Sequence, residues 1–305
     1  MIRVGFIGRT KMLYDAIDLF SQLDNYKISF IWTCKDEEYY EFNSKNFESL
    51  AKKLDAEFVS SADVLKFSHR VDADVVVSIN FVNVIPKKFI DKFKYGIANA
   101  HAGDLPRYRG NACPNWAILN QEDDVVLSFH LMDEGLDSGP VISKEWFKLR
   151  EDTYIDEVYE WFEKVVPQGF VKSVDKLISN SILEEQRGKP LRTFPRKPED
   201  SKLNFDADLE WNYRLIRASS RPFSGAYAFL NNTETKVIIY RAIPHCVSYD
   251  FCAISGQIME KSEHDHSFLV AIGETVLKVI DYSVGNEPID VSFKIVCSSM
   301  RNRLT

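Results

Sequence analysis

DVVVSINFVNVIPKKFIDKFKYGIANAHA (residues 74–102) is the stretch on which the fold turns. Its opening, DVVVSI (74–79), is the most strand-like run in the chain. Pro86 suits the first turn of a helix, which the pattern carries through Phe93. GIANAHA (96–102) then reads as a second strand. Strand, helix and strand in so short a span form the β-α-β unit of a parallel sheet.

The same alternation extends toward the amino terminus. IRVGFI (2–7) has a buried-strand pattern, and MLYDAIDLFSQL (12–23) repeats apolar residues at helical spacing. YKISFIWTC (26–34) is strand-like, and a helix is expected over 43–55 with Asn43 or Ser44 as its cap. The succession argues for an α/β fold, a mainly parallel Rossmann-like sheet with flanking helices.

Beyond Gly103 the chain is loop-like through LPRYRGNACPN (105–115), with a short helix from about 115 to 121. VVLSFHLM (125–132) and PVISKEWFKL (140–149) read as paired strands around a turn holding Gly135 and Gly139. A long helical pattern runs from Tyr154 to about Ser179, and Pro167 is expected to kink or divide it. The polar, basic and proline-rich EEQRGKPLRTFPRKPEDSK (184–202) has the composition of a domain linker. WNYRLIRA (211–218) is a short amphipathic helix. Strands are expected near 225–230, 235–242, 254–260, 267–273 and 275–282, which points to a small antiparallel barrel. The expected division is therefore a catalytic domain over 1–190, a linker over 191–203, and a small β-rich domain over 204–305.

Composition narrows the function. The 305 residues are 45% hydrophobic and 27% charged, as in a soluble globular protein. The five scattered cysteines include no CxxC pair, which argues for free thiols and a reducing, cytoplasmic setting. The start, MIRVGFIGRT, lacks the pattern of a signal peptide, and no apolar run is long enough for a membrane span. A net charge of −7 argues against nucleic acid as a partner.

Three residues carry the candidate chemistry. Asn99 and His101 are two apart on a strand, so they share a face, and they lie at its carboxyl end, where open α/β sheets bind ligands. Asp137 lies in the glycine-flanked turn MDEGLDSGPV (132–141). Taken singly, the first two read equally well as satisfied core polar groups, and the Asp more readily as a turn former. Taken together, they suit acyl transfer to an amine. Asn99 and His101 would stabilise an oxyanion, His101 would relay a proton, and Asp137 would orient its imidazole. His130 shares a strand face with Ser128 and Met132 and is expected to line the same cleft. Gly5-x-x-Gly8 is an incomplete dinucleotide fingerprint and reads as a tight strand-to-helix turn. His264-x-His266 lacks a third ligand at metal-binding spacing, so no metal is expected.

Residues 80–141 carry a family pattern. NFVNVIP, then GIANAHAGDLPRYRGNACPNWAI, then SFHLMDEGLDSGPV resemble the folate-dependent formyltransferases. That family shows Asn-x-His on a strand, a Leu-Pro-x-Tyr/Trp-Arg-Gly loop, and an Asp in a glycine-bearing turn. Here these are Asn99, His101, Leu105 to Gly110 and Asp137, with a spacing of 36 positions from His101 to Asp137. RKPEDSKLNF and the strands after it resemble the family's OB-like C-terminal domain.

The resemblance implies 10-formyltetrahydrofolate as co-substrate. Its reduced pterin would lie against Phe81, Val82, Asn83, Val84 and Ile85 and near Asp133 and Glu134. The loop YRGNACPNWAI and His130 are most similar to the branch acting on nucleotide-linked amino sugars, which places Tyr108, Arg109, Gly110, Asn111 and His130 near the acceptor. The expected acceptor is a dTDP- or UDP-linked 3- or 4-amino-dideoxy sugar for surface polysaccharide synthesis. Methionyl-tRNA formylation is the alternative within the family. A nucleotide-sugar or nucleic-acid binding module is the non-enzymatic one, and the mixed charges over 225–283 speak against it. The C-terminal strands are expected to pack on the catalytic domain or to make a homodimer contact.

Overall fold

A computed structural model describes residues 1–34, 36 and 42–305. The described chain divides into two compact units. The first comprises Met1–Cys113, Asp124–Lys148 and Tyr159–Phe194; the second comprises Pro114–Asp123, Leu149–Val158 and Pro195–Thr305.

The chain begins with β1 (Ile2–Gly8), α1 (Lys11–Ser21), β2 (Tyr26–Thr33), α2 (Ser44–Lys53), β3 (Glu57–Ser60), β4 (Val75–Ile79), α3 (Lys87–Ile90) and β5 (Ile97–His101). It continues through β6 (Arg109–Gly110), α4 (Cys113–Leu119), β7 (Asp124–Leu131), β8 (Val141–Lys148), α5 (Ile155–Ile178) and β9 (Arg192–Thr193).

Seven of these strands form one sheet in the order β3-β2-β1-β4-β5-β7-β8. The first five in that order are mutually parallel, as the alternation of strand and helix requires. β7 and β8 close the edge antiparallel, because only a turn joins them. On one face Ile7, Phe30, Trp32, Val76 and Ile97 pack with Phe89 and Phe93. Burying such a run of large apolar side chains is worth roughly 1.5–3 kcal/mol each.

Local chemistry sets the turns. Gly8 has φ +136°, and a Cβ there would lie 1.8 Å from the Ile79 carbonyl oxygen. The first Gly-x-x-Gly thus serves a backbone crossing that no other residue fits. Asn43 caps α2, its side chain accepting from Lys45 N at 3.0 Å. Pro167 lies inside α5 without dividing it: the helix runs unbroken from Ile155 to Ile178. β3, only four residues long, had no counterpart in the sequence pattern.

The second unit holds α6 (Leu209–Ser219), β10 (Ala226–Phe229), β11 (Lys236–His245), β12 (Ile258–Ser262), β13 (Ser267–Ile272), β14 (Thr275–Val284) and α7 (Ile289–Val296). Its five strands are antiparallel in the order β10-β11-β14-β13-β12. Residues 302–305 pair with both edges of that sheet. Thr305 exchanges hydrogen bonds with Phe229 at the end of β10, both 2.8 Å. Leu304 N donates to Gly256 O at 2.8 Å, and Ile258 N donates to Asn302 O at 3.2 Å on the β12 side. Among the described residues no helix is long and apolar enough to cross a membrane.

Candidate active site

β5 presents Asn99 and His101 on one face, in register with β7: Asn99 lies opposite His130, and His101 opposite Ser128. The turn between β7 and β8 folds back over this face. Its shape is set by Asp133, whose Oδ1 accepts from Gly135 N at 3.0 Å and from Ser138 Oγ at 2.7 Å. Asp137 sits in that turn at φ 50°, a left-handed conformation uncommon for a residue with a Cβ.

The turn delivers the carboxylate to two imidazoles. Asp137 Oδ2 lies 3.5 Å from His101 Nδ1, and Oδ1 lies 3.6 Å from His130 Nε2. Gly110 N donates to Asp137 Oδ2 at 2.9 Å. Asn99 Nδ2 lies 3.1 Å from His130 Nε2, while His130 Nδ1 lies 3.1 Å from its neighbour's carbonyl, Leu131 O. A carbonyl oxygen can only accept, so His130 Nδ1 donates to Leu131 O, and Nε2 faces both Asn99 and Asp137.

His101 is 7% exposed, and its two nitrogens face different acceptors. Nε2 lies 2.6 Å from the Tyr108 carbonyl oxygen and must donate to it. Nδ1 faces the Asp137 carboxylate. A neutral ring satisfies one acceptor and turns a lone pair toward the other, so this arrangement favours the imidazolium. Burial opposes that charge, but the Cys113 contact and the Asp137 carboxylate outweigh it and hold the His101 pKa above the ordinary 6.5. For Asp137, burial acts to raise the pKa; His130, His101 and the Gly110 N–H outweigh it and hold the group below the ordinary 3.8.

The loop after β5 is fitted closely over these groups. A Cβ on Gly103 would lie 2.3 Å from Tyr108 O and 2.7 Å from His101 Nε2. Ser128 Oγ donates to Gly103 O at 2.6 Å, and Lys144 Nζ donates to Leu105 O and Asp104 Oδ1, both at 2.7 Å. The buried Cys113 thiol closes the far side, 3.1 Å from Tyr108 O, 3.2 Å from Thr193 Oγ1 and 3.7 Å from His101 Nε2.

The structure therefore gathers Asn99, His101, Asp137, His130 and the backbone of Tyr108 and Gly110 into one cluster. Tyr108 is buried, and its carbonyl meets His101 Nε2. His130 is 1% exposed and stands behind Asn99 and Asp137 rather than at the open surface. Asn111 is exposed, its backbone N–H donating to Thr193 O at 3.3 Å. Phe81 to Ile85 follow β4, and Asp133 and Glu134 follow β7, the two strands on either side of β5. Within the first of these loops Val82 and Val84 are exposed and Ile85 is buried. Among the described residues no cluster of His, Cys, Asp and Glu is arranged to hold a metal ion.

Three residues of the cluster's surroundings escaped the sequence reading: Cys113, Gln186 and Thr193. β9, within the linker-like stretch, pairs parallel with β6 and so brackets the Tyr-Arg-Gly loop. Gln186 joins Arg109 to the Asp137 turn. Residues near 190 meet residues near 110 through tertiary contact alone, so no local pattern marks them.

Both parts of the chain match one family. Residues 33–174 match Formyl transferase, and residues 196–292 match Formyl transferase, C-terminal domain. The chain belongs to the formyl transferase family. Among curated relatives, the methionyl-tRNA formyltransferase of Citrifermentans bemidjiense is 30% identical over 169 residues, 55% of this chain and 53% of that protein. That of Clostridium acetobutylicum is 26% identical over 254 residues, 78% of this chain and 79% of that protein. The chain thus spans about half the length of the first of these relatives.

Solved family structures share the fold. An N-formyltransferase from Helicobacter canadensis, in complex with folinic acid and dTDP-3-aminofucose, superposes with a TM-score of 0.69 at 17% identity, over 92% of this chain and 99% of that one. WlaRD, a sugar 3N-formyl transferase crystallised with dTDP and 5-N-formyl-THF, gives 0.68 at 18% identity, over 94% and 99%. A methionyl-tRNA formyltransferase from Clostridium thermocellum gives 0.56 at 17%, over 80% and 93%.

Proposed function

We propose that this chain transfers the formyl group of 10-formyltetrahydrofolate to the amine of a dTDP- or UDP-linked 3- or 4-amino-dideoxy sugar. The observation that carries the reading is His101, buried between the Tyr108 carbonyl and the Asp137 carboxylate and beside Asn99. The acceptor amine attacks the formyl carbon, and the carbonyl oxygen becomes an oxyanion. The Asn99 amide donates a hydrogen bond to it, as does the His101 Nε2–H once it leaves the Tyr108 carbonyl, while Nδ1–H stays on Asp137. As the bond from the formyl carbon to folate N10 breaks, His101 gives its proton to N10. The proton released by the new amide nitrogen restores the imidazolium, which Asp137 stabilises throughout. The folate ring is assigned to the loop Phe81 to Ile85, whose exposed Val82 and Val84 offer apolar surface, and to the turn at Asp133 and Glu134. Arg109, Gly110 and Asn111 face the acceptor.

The ligands bound by two structural neighbours, a dTDP-linked amino sugar and dTDP, support the sugar acceptor, as does the chain's charge of −7. The curated sequence relatives favour methionyl-tRNA instead. Turnover assays with 10-formyltetrahydrofolate and a panel of dTDP- and UDP-amino sugars, run beside methionyl-tRNA, separate the two. Formylation of the tRNA with none of the sugars would replace the proposed acceptor. His101→Asn is expected to keep folate binding and lose about 10²–10⁴ in kcat; full activity in that variant removes His101 from the chemistry.

A further inference from the structure

Gln186 lies in the polar stretch after α5. The stretch is anchored to the start of β8, where Val141 N donates to Glu184 O at 2.7 Å and Glu184 N donates to Val141 O at 3.0 Å. From there the Gln186 carboxamide reaches in two directions. Its Oε1 accepts from Arg109 Nε at 3.1 Å and Nη2 at 2.6 Å. Its Nε2 donates to Asp137 O at 2.9 Å and to Gly139 O at 2.7 Å. A carboxamide has one oxygen with two lone pairs and one nitrogen with two hydrogens. All four are engaged. Glutamate would set a carboxylate against two carbonyl oxygens, and leucine would leave both sides unpaired.

The bridge ends on the residues that matter most to the site. Asp137 O, which Gln186 grips, belongs to the left-handed residue whose carboxylate faces His101. Arg109 is followed directly by Gly110, whose N–H holds that same carboxylate. The Arg109-Gly110 pair is therefore tied to Asp137 twice, through the Gly110 N–H and through Gln186. We infer that Gln186 is a positioning residue that couples Arg109, on the acceptor side, to the placement of the Asp137 carboxylate against His101. The assignment of Arg109 to the acceptor rests on the proposed function; the bridge to Asp137 does not. Occupancy at Arg109 would reach the His101–Asp137 pair through the Gln186 side chain as well as through the Gly110 N–H.

The test uses the full chain with Gln186→Leu and Gln186→Glu, each judged by whichever folds. The first readout is the NMR titration of the His101 ring, which faces Asp137, Cys113 and His130. Release of the Asp137 turn moves the His101 midpoint down toward the ordinary imidazole value. The second readout is turnover: a displaced carboxylate lowers kcat by about 10²-fold, with KM for the folate unchanged. A residue that only supports the fold would lower Tm and leave the titration midpoint and kcat where they were; that result in either folded variant overturns the inference. Should the chain formylate no acceptor, the proposed function fails while the titration still decides: a lowered midpoint upholds the bridge, and an unmoved one removes it.

Discussion

At His101 the protonation state follows from what each nitrogen meets. With Nε2 donating to a carbonyl and Nδ1 facing a carboxylate, the charged ring is the form that satisfies both. The consequence for stability has a definite sign. The His101 pKa is raised on folding, so its contribution is full below the ordinary 6.5 and is lost as pH rises through the higher folded value. Asp137 is lowered, so its contribution is full above the ordinary 3.8 and is lost as pH falls through the lower folded value. The pair therefore stabilises most between those two values. Asp137→Asn is expected to destabilise by about 3 kcal/mol inside that window and by less above it, because it leaves a buried imidazolium unpaired. Thermal unfolding of both proteins across pH checks this, and a gap that does not vary with pH refutes the pairing. Asn99, His101 and Asp137 were legible in the sequence, since strand spacing and the Leu-Pro-x-Tyr-Arg-Gly loop fix their order. His130 and Tyr108 were expected near the acceptor; the contacts of His130 with Asn99 and Asp137, and of the Tyr108 carbonyl with His101, were not legible there.

Among the elements, the loop leaving β5 has little room for change. Gly103→Ala would drive a Cβ into the Tyr108 carbonyl and the His101 ring. It is expected to cost about 1–3 kcal/mol and to abolish turnover, since the atoms displaced are those that hold His101. A folded variant with normal kcat would show that the loop has slack. In the second unit, residues 302–305 bridge the two sheet edges, and Leu304 is fully buried beneath that bridge. Leu304→Ala should lower stability by about 2–5 kcal/mol in denaturant unfolding. A loss well under 1 kcal/mol would mean the closure contributes little. Most elements could be read from apolar periodicity, including the Asn43 cap and the five C-terminal strands. Pro167 was expected to kink or divide α5; the helix is not divided and runs on to Ile178, with Phe170 edge-on against Phe129 at 5.3 Å. The polar stretch after α5 has linker composition, yet its backbone and Gln186 are held by the acceptor-side loop and the Asp137 turn.

For the molecule as a whole, charge bears on the acceptor. A protein that grips several phosphates of a nucleic acid loses roughly 10³–10⁵ in affinity between 50 and 200 mM salt. With a net charge of −7, the chain is expected to leave tRNA unshifted in gel retardation. Its KM for a diphosphate-linked sugar should vary far less steeply with salt. A steep salt dependence, with tRNA retained, would restore the tRNA reading. The alternation of strands and helices, the parallel core of the sheet, and the order of Asn99, His101 and Asp137 are written in local periodicity and spacing. A strand or helix needs only its own few residues to declare itself. The protonation of His101, the inward turn of His130 and the tie from Gln186 to Arg109 and Asp137 lie outside that local record. Each depends on groups many residues apart arriving within hydrogen-bond distance, and only the packed fold brings them there.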